Sequence, residues 1–297
     1  MAVSRVTAPL RPKAKIDAGQ DIDFPGWEAA SDEKAESEPR IWIIVKDSNG
    51  ITVRRVSGPT TKGMNRVAWD LRHPAPEAVG LKSTSSSSDV EPAGFLAAPG
   101  TYSATLAKEV GGEITILSPP VQFEVAPLRE GALQGSSYSE SAAFWRLYED
   151  AVRSASAVNR SLGIEQARVE AMKKALSRAP AAPGVLDQRL NHLRTTLMDL
   201  EDELFGNRAR RQVGELTRPT VGSRLGAVEL GLVSSTYGPT PTHKMTLEIA
   251  VAQLQQIKSD LEAARAEAAA LGDDLLEAGA PWVEGNRLPG PGAPPVQ

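Results

Sequence analysis

The run LDQRLNHLRTTLMDLEDEL, residues 186–204, decides how the second half of this chain is built. Its leucines, Leu186, Leu190, Leu193, Leu197, Leu200 and Leu204, recur at steps of 4-3-4-3-4. On a helix of 3.6 residues per turn that spacing draws one narrow apolar stripe, an a/d seam made to lie on other helices. The spacing predicts a long helix and requires partners for it.

Partners lie on both sides. Upstream, Ser137-Tyr138-Ser139-Glu140 reads as a capping box, in which a serine hydroxyl and a glutamate satisfy the free N–H groups of a helix start. Phe144, Leu147, Ala151, Ala155, Val158 and Leu162 follow at spacings of three and four. Gly163 is a candidate interruption; Val169, Met172 and Leu176 carry the stripe to about Ser177, and Pro180 and Pro183 end it. Downstream, residues 206–220 read as a loop and 221–235 as a short helix with Leu225, Val228, Leu230 and Leu232. Tyr237-Gly238-Pro239-Thr240-Pro241-Thr242 is a rigid connector, with Thr242 placed to cap a third long helix from His243 to about Ala278. Its stripe is Leu247, Val251, Leu254, Ile257 and Leu261, continued by Ala264, Ala268, Leu271 and Leu275. Three such stripes bury one another within one chain, which predicts an all-α long-helix bundle over residues 137–280. The alternative is that the 186–204 stripe meets an external helix, giving a helix-mediated oligomer.

Before residue 127 the periodicity changes to two. Residues 41–46 place Ile41, Ile43 and Val45 on one face and Trp42 and Ile44 on the other. Asp47-Ser48-Asn49-Gly50 supplies residues that tolerate positive φ, and 51–56 forms the return strand of a hairpin. Val67, Trp69 and Leu71 alternate, predicting a strand that buries an indole. Residues 73–94, with the run from Ser83 to Ser88 at their centre, read as a mobile insert. Pro99-Gly100 opens a strand over 101–108 with Tyr102, Ala104 and Leu106 on one side. Gly111-Gly112 turns into a strand over 113–117, and Val121, Phe123 and Val125 mark the last one. Some six strands joined by tight turns predict an antiparallel β-sandwich of the immunoglobulin or fibronectin type III kind over residues 40–126. Residues 1–39 read as a flexible segment or linker, in which Ile16, Ile22, Phe24 and Trp27 are placed to add a strand or plug the next domain. Residues 281–297 read as a Pro/Gly-rich tail anchored by Trp282. The expected fold class is therefore α+β and multidomain.

Bulk composition excludes several classes of function. The 297 residues carry a formal net charge of −4, which gives no global attraction to nucleic acid or to an anionic membrane. The absence of cysteine removes disulfides, thiol nucleophiles and thiolate metal sites. No apolar run approaches the roughly 20 residues that span a bilayer, and residues 1–20 have no apolar core of a secretory signal.

Three β features together resemble a known module: the Asp47-Ser48-Asn49-Gly50 turn, the stretch Gly63-Met64-Asn65-Arg66-Val67-Ala68-Trp69-Asp70, and Pro99-Gly100-Thr101-Tyr102. They look like the immunoglobulin-like domain first described in the flagellar hook capping protein and found at the C-termini of bacterial secreted proteins. Gly238-Pro239-Thr240-Pro241-Thr242 before the last long helix and Gly279-Ala280-Pro281-Trp282 after it extend the likeness. Over residues 40–285 the chain resembles the C-terminal region of bacterial proteins with sortilin-like (VPS10-type) β-propellers, often labelled glycosyl hydrolases or BNR/WD40-like repeat proteins. The resemblance implies an extracellular or periplasmic, non-catalytic accessory module whose partner is a β-propeller domain or polypeptide. It leaves the ligand, carbohydrate or protein, open. In such proteins a propeller precedes this region, whereas here 39 residues do and no Ser-x-Asp-x-Gly-x-x-x-Trp box occurs. On this likeness the chain is expected to be a fragment or the C-terminal product of a split gene.

No residue is assigned a catalytic, cofactor-binding or metal-binding role. His73, His192 and His243 lie far apart in sequence and form no ligand pair. Ser31 and Lys34 fit Ser-x-x-Lys by spacing but sit in an acidic linker, where nothing buries the lysine to lower its pKa. Trp69 and Asp70 read as a core indole and a turn residue before a carbohydrate platform and its acid. Glu201-Asp202-Glu203 and Asp273-Asp274 read as solvated helix faces, since retaining glycosidase chemistry needs two carboxylates about 5 Å apart in a cleft. Arg208, Arg210 and Arg211 read as a solvated loop. The competing reading is the C-terminal part of an exported glycosyl hydrolase-like enzyme.

Overall fold

Strand pairing begins where the alternation of Ile41, Ile43 and Val45 begins. A computed structural model describes residues 37–81, 93–128, 134–180, 184–215, 217–235 and 237–290, together with 19, 26–28, 31 and 34. The expectations for Ile16, Ile22, Phe24, Asp32, Glu33, residues 83–88, Pro183 and residues 291–297 lie outside the described residues. An N-terminal antiparallel sheet region is followed by a C-terminal helical region. The chain divides into two compact units, Met1–Pro74 with Ala93–Leu128, and Ala75–Pro92 with Arg129–Gln297.

In the β unit, β1 (Arg40–Asp47) and β2 (Thr52–Gly58) form the expected hairpin. Asp47 fixes its turn: Oδ1 accepts from the backbone N–H groups of Asn49 and Ile51, both at 2.9 Å, and Gly50 takes a φ of 78°. Next come β3 (Arg72–Pro74), β4 (Ala93–Leu96), β5 (Gly100–Val110), β6 (Glu113–Ile116) and β7 (Val121–Val125). The main sheet runs β2-β1-β5-β6, and β7 also pairs with β5, beyond the stretch that β6 occupies; β3 and β4 pair separately. One sheet face carries Val45, Val53 and Tyr102 into a core with Ala97, against which Ile43, Trp69, Phe123 and Val125 pack. The segments before β3 and after β4 cover that face, and Ala97 N–H donates to Leu71 C=O at 2.7 Å.

Two β expectations are corrected. Residues 67–71 form no strand, although Trp69 does reach the core. Leu71 turns away with a φ of 58°, rare for a side chain of its size, and is 38 % exposed. Asp70 sustains that turn, its Oδ1 accepting from Arg72 N–H at 2.9 Å. The stretch read as an insert holds β3 and β4 at its ends, and residues 75–92 group with the helical unit. Leu106 shares Tyr102's face by register but lies 37 % exposed, beyond the cover.

The helical unit contains α1 (Tyr138–Leu176), α2 (Val185–Phe205), α3 (Arg208–Gln212), α4 (Val221–Val233) and α5 (Pro241–Glu277). Ser137 caps α1 through the expected capping box, and Gly163 leaves the helix unbroken. Thr240, not Thr242, caps α5, because Pro241 suits the first helical position, where no N–H is needed. The expected loop 206–220 holds α3, nucleated by Asn207, whose Oδ1 accepts from the N–H groups of Ala209 and Arg210.

Burial refines the stripes into seams. On α1 the inward residues are Phe144, Tyr148, Ala151, Ala155, Val158, Leu162, Glu165, Val169, Met172 and Leu176, alternating steps of four and three throughout. On α5 they are Leu247, Ala250, Leu254, Ile257, Leu261, Ala264, Ala268, Leu271 and Leu275. The expected Leu147 and Leu230 are 60 % and 67 % exposed, and Val251 yields its place to Ala250. Helices α1, α2 and α5 pack pairwise around this core, and α4 lies against α5 with Val221, Leu225, Val228 and Leu232 inward. After α5 the chain is anchored by buried Ala280 and Val283, and Trp282, 43 % exposed, ties down the next turn by donating from Nε1 to the Asn286 and Arg287 C=O groups at 3.3 and 3.0 Å.

The seam makes a direct prediction. Leu197 is fully buried, so Leu197→Ala is expected to cost about 3 kcal/mol, whereas exposed Leu230→Ala changes stability by less than about 0.5 kcal/mol. Urea denaturation of the two variants measures both, and equal losses would contradict this seam.

Candidate functional site

The residues singled out by sequence are dispersed into structural duties. In the β unit, His73 stacks on Phe95 at 4.1 Å. Trp69 packs edge-on against Tyr102 and Phe123 at 5.6 and 6.2 Å, and its Nε1–H donates to Arg72 C=O at 3.0 Å. In the helical unit, His192 is exposed on α2, and His243 sits in the first turn of α5, its Nδ1 accepting from Thr240 N–H at 3.3 Å while its ring lies over Gly231. Among the described residues no group of three or more His, Cys, Asp or Glu stands where it could hold a metal ion. Glu201 accepts from Gln166 at 2.7 Å, Asp202 from Asn207 at 2.7 Å, and Asp274 from Arg189 at 2.5 Å. Arg208, Arg210 and Arg211 are exposed on α3, with Arg210 3.8 Å from Glu215. Ser31 and Lys34 are exposed.

Sequence reading missed the most buried charge of the helical unit. Glu165 is 4 % exposed and occupies a position in the α1 seam where every neighbouring seam residue is apolar. A bare carboxylate there would cost several kcal/mol, so its partners decide the site. Arg265 of α5 donates from Nε to Oε1 at 3.3 Å, and Arg168, one turn along α1, donates from Nη1 to Oε2 at 3.4 Å. Arg168 also reaches Oδ1 of Asn286, from Nε at 2.9 Å and Nη2 at 2.6 Å. Gly272 permits that contact, since a Cβ there would stand 2.6 Å from the Asn286 amide nitrogen. The cluster thus joins α1, α5 and the segment that follows α5. Both carboxylate oxygens are engaged by guanidinium groups, an arrangement that fixes the position of the side chain. The signal was available: a glutamate interrupting a 4-3 apolar repeat.

A second polar cluster surrounds Tyr148, which sequence reading passed over for Leu147. Its ring packs edge-on against Trp145 at 5.6 Å, and its hydroxyl donates to the Glu229 carboxylate of α4. Burial, first, and then the negative charge of Glu229, the hydrogen bond to it and the charge of Glu77 push the phenol well above its ordinary range. Close by, Ala78 N–H donates to Ser156 Oγ at 2.8 Å and the Arg160 guanidinium lies against Gly80, so the segment after β3 runs along α1. A third feature, on the α2 side, is a shallow concavity of about 160 Å³ lined by Gln166, Val169, Glu170, Arg194, Leu197 and Met198. Small-molecule sites usually enclose about 300–1,000 Å³. On the flank of α2 that faces α5, Arg189 bridges the two helices through Asp274 and Glu267, and these bonds raise its pKa further.

No family model, curated protein or solved structure matches the chain.

Two outcomes follow from the clusters. Glu165→Gln leaves two guanidiniums facing a neutral amide and is expected to cost about 3 kcal/mol in denaturant, while Asp150→Asn in the exposed pair with Arg153 costs at most about 0.5 kcal/mol. Comparable losses would show that the buried carboxylate is dispensable. For Tyr148 the folded pKa lies above the unfolded value of 10.0, so its contribution is complete below pH 10 and declines as the pH rises beyond it. The melting-temperature gap between the wild type and Tyr148→Phe should therefore narrow from pH 8 to pH 11; a constant gap would contradict the assignment.

Proposed function

We propose that the chain is a non-catalytic accessory module of an exported bacterial protein, in which an immunoglobulin-like β-sandwich and a long-helix bundle scaffold or dock a neighbouring sortilin-like β-propeller. The observation that carries this reading is Glu165. The most buried carboxylate of the helical unit is clamped between Arg265 and Arg168, so its chemistry goes into fixing helices rather than into meeting a substrate. A general base must reach the proton that it abstracts, and this carboxylate faces two cations instead.

The immunoglobulin-like reading is supported by the three motif segments. The Asp47–Gly50 turn closes the β1–β2 hairpin, Trp69 fills the β core, and Tyr102 on β5 sends its hydroxyl back to Ala98 C=O at 2.6 Å. That last bond resembles the tyrosine corner of such domains, in which a tyrosine hydroxyl ties a strand to backbone a few residues upstream. On this reading β3, β4 and the segments beside them stand in for the second layer of a sandwich. The bundle reading is supported by the 4-3 seams on α1, α2 and α5, whose spacing matches helices packed side by side.

The purified chain is expected to co-elute with a propeller polypeptide encoded beside it and to turn over no glycoside in a broad panel. Failure to bind that polypeptide removes the reading, as does glycoside turnover abolished by substitution of one Asp or Glu.

A further inference from the structure

The main sheet of the β unit has a second face, and its register shows what that face carries. Residues paired across antiparallel strands point to the same side. Trp42 pairs with Ala107 and Ala107 with Ile116; Ile44 pairs with Thr105; Glu109 pairs with Ile114. All of these lie opposite the face that holds Val45 and Tyr102. The Trp42 Nε1–H donates to Glu109 Oε2 at 2.6 Å, which sends the indole across β5, and Ala107 between the two is fully covered. The result is a flat apolar plate of Trp42, Ile44, Ile114 and Ile116. Ile114 and Ile116 are 46 % and 56 % exposed, so among the described residues of the β unit nothing covers this end of the plate.

Charge is divided across this face. The β1–β2 side presents Arg40, Lys46 and Arg55, and the β5–β7 side presents Glu109 and Glu124. We propose that this face binds a second copy of the chain, the two sheets meeting about a two-fold axis that runs parallel to the strands. Such an axis exchanges left and right, laying the basic half of each copy on the acidic half of the other and apolar plate on apolar plate. An interface of this type is isologous: one patch serves both partners. Four strands about 4.8 Å apart and some five residue rows give roughly 300–400 Å² per copy, against about 800 Å² in a standard stable interface. The dimer is therefore weak and concentration-dependent, and the charge division sets its orientation.

Sedimentation equilibrium of the full chain tests this from about 10 µM to about 1 mM, the range in which weak dimers populate. The wild type is expected to rise from monomer toward dimer mass. Ile116→Glu should weaken association at least about tenfold; Lys46→Glu/Arg55→Glu, which makes both halves acidic, should weaken it comparably and more at low salt. Leu230→Glu, on the exposed side of α4, should leave association unchanged. Circular dichroism melts check that each variant folds, and Ile114→Ser/Ile116→Ser is the neutral second route to the same loss. A wild type that stays monomeric throughout overturns the proposal, including the case in which removing residues 1–25 induces dimers, because the N-terminal segment then covers the face. A dimer indifferent to Ile116→Glu overturns it as well.

Discussion

Three helices that each present an apolar residue at alternating steps of three and four must share a single core, and the rest of the helical unit is arranged around that constraint. The seams are not equivalent. That of α2 is all leucine, whereas α1 contributes Ala151 and Ala155 and α5 contributes Ala250, Ala264 and Ala268. Small residues opposite large ones allow close approach without leaving voids, which interiors at crystal-like density do not tolerate. The seam also explains why Gly163 is harmless. An interior glycine costs about 1 kcal/mol relative to alanine, and burial of Leu162 and Val169 on either side outweighs it.

A seam of only apolar residues holds helices together without choosing their register, because sliding by one heptad replaces one apolar contact with another. Glu165 removes that freedom. Its carboxylate is satisfied only where Arg265 of α5 stands opposite and Arg168 stands one turn away. A slip would strand it among leucines at a cost of several kcal/mol. A single polar seam residue that specifies alignment at some expense of stability is a known device in coiled coils, and Glu165 has the position for it. Asn286 extends the same logic to the chain after α5, since the Arg168 guanidinium that steadies Glu165 also holds the Asn286 side chain.

Much of this was legible in advance because periodicity is local. The α2 leucines, the Ser137 capping box and the Asp47–Gly50 turn each announce themselves within a few residues and stand as read. What was not legible depended on choices between adjacent side chains. Leu147 and Tyr148 both fit a stripe of threes and fours, and hydropathy favours leucine, but only Tyr148 continues the strict 4-3 step and finds a carboxylate for its hydroxyl. Val251 lost to Ala250 on the same step. Glu165 stands out as a carboxylate within a 4-3 apolar repeat, but its partner Arg265 lies 100 residues away, which no local pattern assigns. Around Trp69 the error was different. Alternation indicates which side chains point inward, but a strand also needs a neighbour with free backbone groups. Residues 67–71 lack that pairing, so Trp69 is buried by a turn at Asp70 and Leu71.

The two units use apolar side chains in opposite ways, and the difference indicates where further contacts belong. In the helical unit the seams turn inward, and the large apolar residues left outside, such as Leu147, Leu230 and Met245, are scattered over several helices. Single exposed apolar residues are ordinary on protein surfaces. In the β unit only one sheet face is filled, and the other gathers Trp42, Ile44, Ile114 and Ile116 in adjacent register. A sheet with one covered face normally makes the other face polar. Serine and charge do occupy its margins, at Ser57, Ser103, Lys46 and Glu124, while the centre is apolar apart from Thr105 opposite Ile44. An apolar centre with a polar rim is the composition of an interface. In the proposed dimer the plate of the second copy supplies the apolar contact that this centre lacks within its own sheet.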